Sequence, residues 1–325
     1  MESVLLLDTS IATDNNGDKI IMECVEEELS FITKNRFIYS LPTHVSSFHW
    51  YQVLRNSYAI QRYANCEFKF AGGSNMLVKD MLTHYPQWNI NWFNCKPLIG
   101  LVLVGVGAGA GDKSNFYTRK LYRKVLSHDF FHSVRDERSK EYVESLGLKA
   151  INTGCVTMWK LTPDFCKKIP SQKSNTVVFT LTATSNITAY ERDQYMIDVL
   201  LRQYDCVFFW PQGDKDLKYL QSFKHIDDIN VLQANKKAFD DYLTQTDTDY
   251  IGTRLHGGIY AMRHARRAII ISIDERAREI NKKNNLNCID TERIIELEDK
   301  ISSTFPTEIK MDYDKINNWR NQFIK

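Results

Sequence analysis

Short apolar runs alternate with amphipathic stretches along nearly the whole chain. The first run, residues 4–7, is followed by a polar loop and by a stretch from Ile20 to Ile32 that places apolar residues at helical spacing. This alternation predicts an α/β fold with doubly wound parallel sheets. Further strand-like runs lie at residues 66–70, 98–104, 130–134, 176–181, 206–210, 230–232, 249–252 and 268–273, and helical patterns at residues 45–64, 117–126, 137–146, 190–202, 217–223, 236–243 and 256–264.

A stretch rich in Pro, Lys and Ser at residues 163–175 interrupts the alternation. The chain has 325 residues, which also exceeds the usual size of one domain. We therefore predict an N-terminal Rossmann-like domain over residues 1–165 and a C-terminal one over residues 166–325. In such a pair, we expect the loops at the carboxyl ends of both sheets to face a shared cleft, since open parallel sheets bind ligands at that edge.

Composition narrows the class of protein. The formal net charge of +2 argues against a dedicated nucleic-acid-binding protein, which usually carries a strong basic excess. The seven cysteines are scattered and form no Cys-x-x-Cys pair, which indicates free thiols rather than a disulfide framework or a zinc site. No apolar run has the length of a secretory leader or of a membrane span, so we expect a cytoplasmic protein.

The strongest candidate for an active-site element is the segment 252–258, where a strand is predicted to meet a helix. It places Arg254 and His256 at or just before the helix N-terminus, where free backbone N–H groups and the helix dipole attract an anion. A guanidinium matches a phosphate or carboxylate with two parallel hydrogen bonds, and the flanking glycines let a substrate approach the backbone. The alternative is structural, with an arginine that caps nearby carbonyls and a histidine satisfied in the core.

Two other strand–helix turns carry candidate residues. Asn16, Gly17 and Asp18 lie at the first such turn, where Gly17 permits close approach of a ligand and Asp18 is a suitable N-cap. A plain capping turn explains the same residues equally well. Arg135 ends a predicted strand and is placed to reach the cleft, while Asp136 is expected to cap the following helix.

A glycine-rich loop and a histidine pair point to cofactors, but neither pattern is complete. Gly105, Gly107 and Ala110 fit the G-x-G-x-x-A spacing of a dinucleotide site. The preceding strand is not the first of its domain, and no acidic residue ends a later strand about twenty residues on, so we interpret the loop as a tight or phosphate-binding turn rather than an NAD site. His128 and His132 are four residues apart, but two phenylalanines and a predicted strand argue against a metal site.

The run of residues 263–267 contains three arginines and a histidine. A solvated helix end favoured by the dipole is the simplest interpretation. The functional alternative is contact with an anionic lipid head group or with a pyrophosphate-bearing acceptor.

Several of these segments together resemble the polysaccharide pyruvyltransferase family. They occur in the family's order over roughly residues 3–275, and the Arg-Asp-x-x-Ser and Arg-Leu-His-Gly segments are fairly specific in combination. The chain departs from the family at residues 152–155, where the family often has an Asp-Pro pair, and at Ala71, where it has a further glycine. The segments are residues 16–18, 71–73, 105–109, 134–139 and 252–257.

The resemblance implies two Rossmann-like domains similar to the GT-B glycosyltransferase architecture. It implies transfer of a pyruvyl group from phosphoenolpyruvate to two hydroxyls of a sugar, in a polysaccharide or its lipid-linked precursor, with release of phosphate. By that likeness His256, Arg254 and Arg135 are the expected catalytic residues. No metal and no cofactor besides the donor substrate is expected, and a lipid-linked acceptor implies possible peripheral contact with the inner face of the membrane. The expected donor-binding residues are Asn16, Gly17, Asp18, Gly72, Gly73 and Thr253.

Two further functions fit the same pattern. One is a GT-B type glycosyltransferase, which would be protected against heat by UDP or GDP and not by phosphoenolpyruvate. The other is a non-catalytic protein that binds a sugar or nucleotide without turnover. A thermal-shift comparison of phosphoenolpyruvate, UDP-sugars and NAD separates them.

Overall fold

The computed structural model describes residues 2–82, 88–109 and 114–324. Its contacts divide the chain into two compact units. Unit 1 comprises Met1–Thr13, Ile21–Trp159 and Asp312–Lys325, and unit 2 comprises Asp14–Ile20 and Lys160–Met311. These units differ from a division into residues 1–165 and 166–325, because residues 14–20 join the second unit and the C-terminal segment joins the first.

Unit 1 is an α/β structure in which every described strand pair is parallel. Strands β2, β1, β3 and β4 lie side by side in that order, and β5 pairs with β6. The strands are β1 (Ser3–Asp8), β2 (Phe37–Pro42), β3 (Phe68–Gly72), β4 (Val102–Val104), β5 (His132–Val134) and β6 (Ala150–Asn152). The helices assigned wholly or mainly to it are α1 (Asn16–Glu28), α2 (Ser30–Thr33), α3 (Trp50–Arg55), α4 (Tyr58–Ala64), α5 (Phe116–Val125) and α6 (Glu137–Ser145).

Unit 2 is a second α/β structure built on a parallel sheet. Its described strands follow the order β12-β11-β10-β7-β8-β9, so β10, β7 and β8 are neighbours. The strands are β7 (Thr176–Thr180), β8 (Cys206–Phe209), β9 (Ile229–Val231), β10 (Asp249–Gly252), β11 (Ala268–Ser272) and β12 (Cys288–Asp290). The helices are α7 (Pro163–Cys166), α8 (Ile187–Gln203), α9 (Asp216–Leu220), α10 (Lys236–Gln245), α11 (Leu255–Arg263), α12 (Glu275–Asn284) and α13 (Leu297–Ser302).

The final helix, α14 (Tyr313–Asn321), packs within unit 1 through aromatic side chains. Trp319 is fully buried, and its indole N–H donates to the carbonyl of Phe131 at 2.9 Å. Its ring lies 5.7 Å from that of Trp159 and 5.1 Å from that of Phe323. Burial of several aromatic rings explains why the C-terminal segment belongs to the first unit.

Two predicted elements differ from the observed ones. The single helix predicted over residues 45–64 is two short helices, because Asn56 adopts a left-handed conformation (φ 46°) that ends α3 and Ser57 begins α4. The strand predicted over residues 98–104 is confined to β4, since a 3₁₀ turn occupies Lys96–Leu98.

The histidine pair of the sequence is not a metal site. His132 is fully buried, and its Nδ1 accepts a hydrogen bond from the Leu103 N–H (3.2 Å) while its Nε2 donates to the Ser127 carbonyl (2.9 Å). His128 is exposed, and its Nε2 bonds the Arg123 carbonyl instead. His132 therefore links β5 to β4 as a neutral side chain, and burial lowers its pKa to about 4.

This histidine gives unit 1 a predicted pH dependence. The unfolded chain takes up a proton at His132 near pH 6.5, whereas the folded chain does so only near pH 4. Stability therefore falls as the pH drops through this window, by about 2 kcal/mol between pH 6.5 and 4.5. Chemical denaturation at both pH values should show this loss in the wild type and a smaller one in His132→Gln. His128→Gln should keep the wild-type difference; equal differences in wild type and His132→Gln would contradict this role.

Candidate functional site

The N-terminus of α11 has no side-chain cap, a property it shares with the shorter helices α2, α4, α9 and α13. Helices α5, α6, α8, α10, α12 and α14 each begin at an Asn or Asp whose side chain accepts a hydrogen bond from the first turn. Helix α11 begins instead at Arg254, which makes no such bond. The first turn of a helix has N–H groups without intrahelical partners, so this end of α11 is suited to an anion.

Arg254 is fixed by a buried carboxylate. Its Nη2 donates to both carboxylate oxygens of Asp216, at 2.6 and 2.7 Å, and its Nε donates to the Leu181 carbonyl at 3.1 Å. Its Nη1 takes part in none of these bonds. Asp216 is fully buried, so the pair is charge-assisted and holds the guanidinium in one orientation.

Asp216 also joins the loops that follow three neighbouring strands. Its carboxylate accepts the Gly213 N–H (2.7 Å) after β8 and the Ala183 N–H (3.2 Å) after β7, in addition to Arg254 after β10. Because β10, β7 and β8 are adjacent, the loops at their carboxyl ends meet. Asp216 therefore joins the loops at this edge of the unit 2 sheet, although its sequence context shows only that it follows a predicted strand.

The glycines of the segment serve close packing rather than access for a ligand. A Cβ on Gly252 would lie 2.4 Å from the Thr180 hydroxyl, and one on Gly257 would lie 2.8 Å from the Tyr250 hydroxyl. Burial raises the pKa of Tyr250, so its hydroxyl stays protonated and donates to the Arg254 carbonyl at 2.8 Å. The expectation that these glycines admit a substrate is thus replaced by a packing requirement.

The remaining residues predicted in this segment lie beside Arg254. His256 is the second residue of α11 and is buried. Thr253 is buried at the end of β10, where its hydroxyl shares a hydrogen bond of 2.9 Å with that of Thr182. The structure therefore places all three predicted residues at the end of β10 and the start of α11.

The turn at residues 14–18 also belongs to unit 2 and lies against the loop that follows β8. The Asn16 N–H donates to the Gln212 carbonyl at 2.8 Å, and the Asn15 side-chain oxygen accepts from the Gln212 amide at 3.0 Å. The same oxygen accepts the Gly17 N–H at 2.9 Å, so Asn15 rather than Asp18 caps α1. The structure thus brings Asn16, Gly17 and Asp18 close to the loop that Asp216 holds.

Gln212 connects this turn to the first turn of α11. A Cβ on Gly17 would lie 2.7 Å from the Gln212 Nε2, and one on Gly257 would lie 3.1 Å from its Oε1. Gln212 is buried, and its Oε1 is an acceptor without a hydrogen-bond partner among the described residues. The Gln212 side chain lies between Gly17 and Gly257, and this close packing explains why neither position carries a Cβ.

In unit 1, the backbone N–H groups of the glycine-rich loop donate to other residues of the unit. Those of Gly105, Gly107, Ala108 and Gly109 donate to Ser133 Oγ, Ser74 O, Ser139 Oγ and Leu77 O at 2.7–2.9 Å. Residues 105–109 therefore form a packed turn with no cradle of free N–H groups for a phosphate. Ala110, which completes the spacing considered for NAD, lies outside the described residues.

Arg135 fills the space above this loop. A Cβ on Gly107 would lie 2.4 Å from the Arg135 Cζ, so the glycine is needed to seat the guanidinium. Arg135 also donates to the side-chain oxygen of Asn75 and, at 3.3 Å, to the carboxylate of Asp136. Asp136 caps α6 as predicted, through the Ser139 N–H at 2.7 Å. The glycine loop, the strand after it and the Arg-Asp-x-x-Ser segment thus form one cluster.

Gly72 and Gly73 are explained by the packing of α1 on β3. A Cβ on Gly72 would lie 2.7 Å from Val25 Cγ1, and one on Gly73 would lie 1.9 Å from Ile21 Cγ2. Gly73 also has a positive φ of 59°. The proposal that these glycines bind the donor rests on the resemblance, since packing alone accounts for them.

The basic run at residues 263–267 is not a solvated surface. Arg263 and Arg267 are buried. Arg267 bonds Asp249 and the carbonyls at the end of α13, and Arg266 donates to the Leu243 carbonyl at 2.8 Å. The run therefore supports packing in unit 2. Among the described residues, no helix has the length and apolarity needed to cross a membrane.

Comparison with known protein families identifies the family of this chain. The sequence model of the polysaccharide pyruvyl transferase family matches residues 15–275, which include every candidate residue described above. The chain belongs to this family. Membership indicates a transferase role in polysaccharide modification and confirms the resemblance found in the sequence.

The fold is similar to that of a solved structure, the S. aureus MnaA–UDP co-structure. The TM-score is 0.52 and the identity 11%, with 94% of this chain and 92% of that chain covered. This likeness confirms the predicted fold class, an α/β fold of Rossmann-like domains similar to the GT-B architecture. A search of curated proteins found no match.

Proposed function

We propose that this member of the polysaccharide pyruvyl transferase family transfers a pyruvyl group from phosphoenolpyruvate to two hydroxyls of one sugar. The acceptor would be a polysaccharide or its lipid-linked precursor, and the products a cyclic ketal and phosphate. The observation that supports this most is the uncapped N-terminus of α11, with Arg254 fixed by Asp216 and His256 in the first turn. A donor that carries both a phosphate and a carboxylate suits such an end.

The chemistry requires proton transfers and charge stabilisation. The methylene carbon of phosphoenolpyruvate gains a proton, and the two sugar hydroxyls each form a bond to the central carbon and lose a proton. The bond from that carbon to the phosphate oxygen breaks, and the phosphate leaves with the remaining proton. One general acid–base residue and cations near the leaving phosphate supply what these steps need.

Within unit 2, His256 would be the acid–base residue and Arg254 the donor-binding cation. The Arg254–Asp216 pair is nearly neutral as a whole, so we assign the arginine an orienting role in which Nη1 and the first turn of α11 bind the anion together. Thr253 and the turn of Asn16, Gly17 and Asp18 would contribute to donor binding.

In unit 1, Arg135 would bind a phosphate or carboxylate. Its guanidinium lies against Gly107 and donates to the side-chain oxygen of Asn75 and, at 3.3 Å, to the carboxylate of Asp136. Gly72 and Gly73 would shape the loop before Asn75.

The function is tested by incubating the protein with phosphoenolpyruvate and candidate glycans. Phosphate release that depends on the glycan, with a mass gain of one pyruvate ketal on the product, would support the proposal. A nucleotide sugar that replaces phosphoenolpyruvate as the donor would instead identify a glycosyltransferase. Thermal protection by either donor class without any turnover would identify a binding protein.

Replacing Arg254 with lysine should raise the Michaelis constant for phosphoenolpyruvate by about 10–100-fold, the range expected for one or two charge-assisted hydrogen bonds. Lysine keeps a positive charge near buried Asp216, so the unit should remain folded, and a thermal melt checks this. Arg266→Lys, in the same unit, is the control. Donor kinetics equal to those of the wild type would remove Arg254 from the site.

A further inference from the structure

Helices α3 and α4 of unit 1 present large apolar side chains to solvent. Leu54 is 70% exposed and Tyr58 is 83% exposed, with Trp50 at 54% and Tyr51 at 44%. Trp50 and Leu54 are one helical turn apart on α3. Each helix is anchored from the other side by a buried residue, Val53 in α3 and Ile60 in α4. We call Trp50, Tyr51, Leu54 and Tyr58 the aromatic patch.

The chain around the aromatic patch carries basic residues and no acidic ones. Residues 37–66 contain no Asp or Glu, although Asp and Glu together number 40 in the chain. The same stretch contains Arg55 and Arg62, both exposed. The arginines stack on aromatic rings of the same region, with the Arg55 guanidinium 5.7 Å from the Tyr51 ring and that of Arg62 5.0 Å from the Tyr63 ring. These two guanidinium groups thus lie beside the patch, and residues 37–66 around them contain no carboxylate.

A groove of about 480 Å³ runs between the two helices and the end of β2. Its lining includes Phe48, Tyr51 and Tyr63 together with Arg55 and Arg62. An aromatic wall with two guanidinium groups matches an anionic head group whose adjoining part is apolar.

We propose that the aromatic patch is a surface for reversible contact with a bilayer containing anionic phospholipids. Trp and Tyr favour the boundary between head groups and acyl chains, where Leu54 would enter the apolar layer. Arg55 and Arg62 complement the negative surface of the bilayer, and the groove takes a phosphate head group. The absence of acidic residues from the surrounding stretch favours a bilayer of this charge over a basic protein partner. This contact is independent of the proposed reaction, so either can hold without the other.

The test is co-sedimentation of the full-length protein with vesicles, one set of phosphatidylcholine alone and one that also contains phosphatidylglycerol. The wild type should sediment with the anionic vesicles and much less with the neutral ones. Leu54→Ser combined with Tyr58→Ser should weaken this binding by at least about tenfold, since two apolar side chains no longer enter the bilayer. Arg55→Gln should weaken it about fivefold and reduce its sensitivity to salt.

The matched control is Ile187→Ser combined with Ile295→Ser, because both isoleucines are 74% exposed and lie in unit 2. The control should bind anionic vesicles like the wild type. No sedimentation of the wild type with anionic vesicles, or equal loss in the patch and control variants, would overturn the proposal. Self-association that disappears in the patch variant, without vesicle binding by the wild type, would show that the patch covers a second copy and would also overturn it.

Discussion

Replacing His256 with alanine is expected to lower the turnover number for phosphate release by about 10²–10⁴, the usual contribution of a positioned acid–base group. His256 lies in the first turn of α11, two residues after Arg254 and inside a buried segment. A side chain there is held by the same turn that would bind the donor anion. Its loss should therefore affect the protonation steps more than the binding of phosphoenolpyruvate.

Steady-state kinetics separates these effects. His256→Ala should reduce kcat strongly and change the Michaelis constant for phosphoenolpyruvate little, whereas Arg254→Lys should change mainly the latter. His264→Ala is a matched control, because His264 lies at the C-terminal end of the same helix and interacts with Asp240 at 3.1 Å. Phosphate release by His256→Ala near the wild-type rate would exclude the acid–base role.

The position of this histidine and of Arg254 could be read from the sequence, because a strand–turn–helix signal is local. The residue that fixes the arginine could not. Asp216 lies 38 residues before Arg254, and its role depends on β10, β7 and β8 being neighbours in the sheet. Strand order follows from tertiary packing and leaves no mark at Asp216 itself.

In the fold too, features that depend on local sequence could be predicted, whereas features that depend on long-range contacts could not. Buried strands such as β7, β10 and β11 were predicted from their runs, whereas β2, β6 and β12 were missed. Strand β2 has exposed Phe37 and Ile38 at the sheet edge, so it lacks the buried pattern of a central strand. Strands β6 and β12 have three residues each, which is too short to show a period, and the equally short β4, β5 and β9 were predicted only with extended or shifted bounds. The assignment of residues 14–20 to unit 2 rests on hydrogen bonds to Gln212, about 200 residues away, which no periodicity reveals.

The role of the glycines at the candidate site was the hardest feature to predict from the sequence. Gly107 seats the guanidinium of Arg135, Gly73 accommodates Ile21, and Gly257 accommodates Tyr250. In the sequence all three suggest close approach of a ligand. A glycine indicates that another group packs closely against the backbone, but it does not show whether that group belongs to a ligand or to the protein. The structure shows protein atoms at each of these positions.

Replacing Arg267 with alanine is expected to destabilise unit 2 by about 3–5 kcal/mol, the cost of removing one partner of a buried ion pair. Arg267 is almost fully buried, and its Nη1 donates to Asp249 at 2.7 Å. Its Nη2 donates to the carbonyls of Ile301 at 2.8 Å and Ser303 at 2.9 Å, which close the end of α13. The variant would leave a buried carboxylate and these carbonyls without their donor.

Asp249 is buried, so water cannot replace the hydrogen bond that its carboxylate loses in Arg267→Ala. Burial raises the pKa of Asp249, while Arg267 and the Tyr204 hydroxyl (2.7 Å) favour its charged form. Without the guanidinium, the carboxyl would be more easily protonated, so the defect of Arg267→Ala should become smaller as the pH falls toward 5. Thermal melts at pH 7.5 and pH 5.5 measure both effects.

Arg266→Ala is the control for this variant, because Arg266 is only partly buried and bonds the Leu243 carbonyl and, at 3.7 Å, the exposed Asp247. It should lower stability by about 1 kcal/mol or less, as expected for a partly exposed pair. Arg267→Met, which restores apolar volume but not the charge, should be less harmful than Arg267→Ala when it is combined with Asp249→Asn. A melting temperature of Arg267→Ala no lower than that of Arg266→Ala would show that the buried pair does not hold α13 to the sheet.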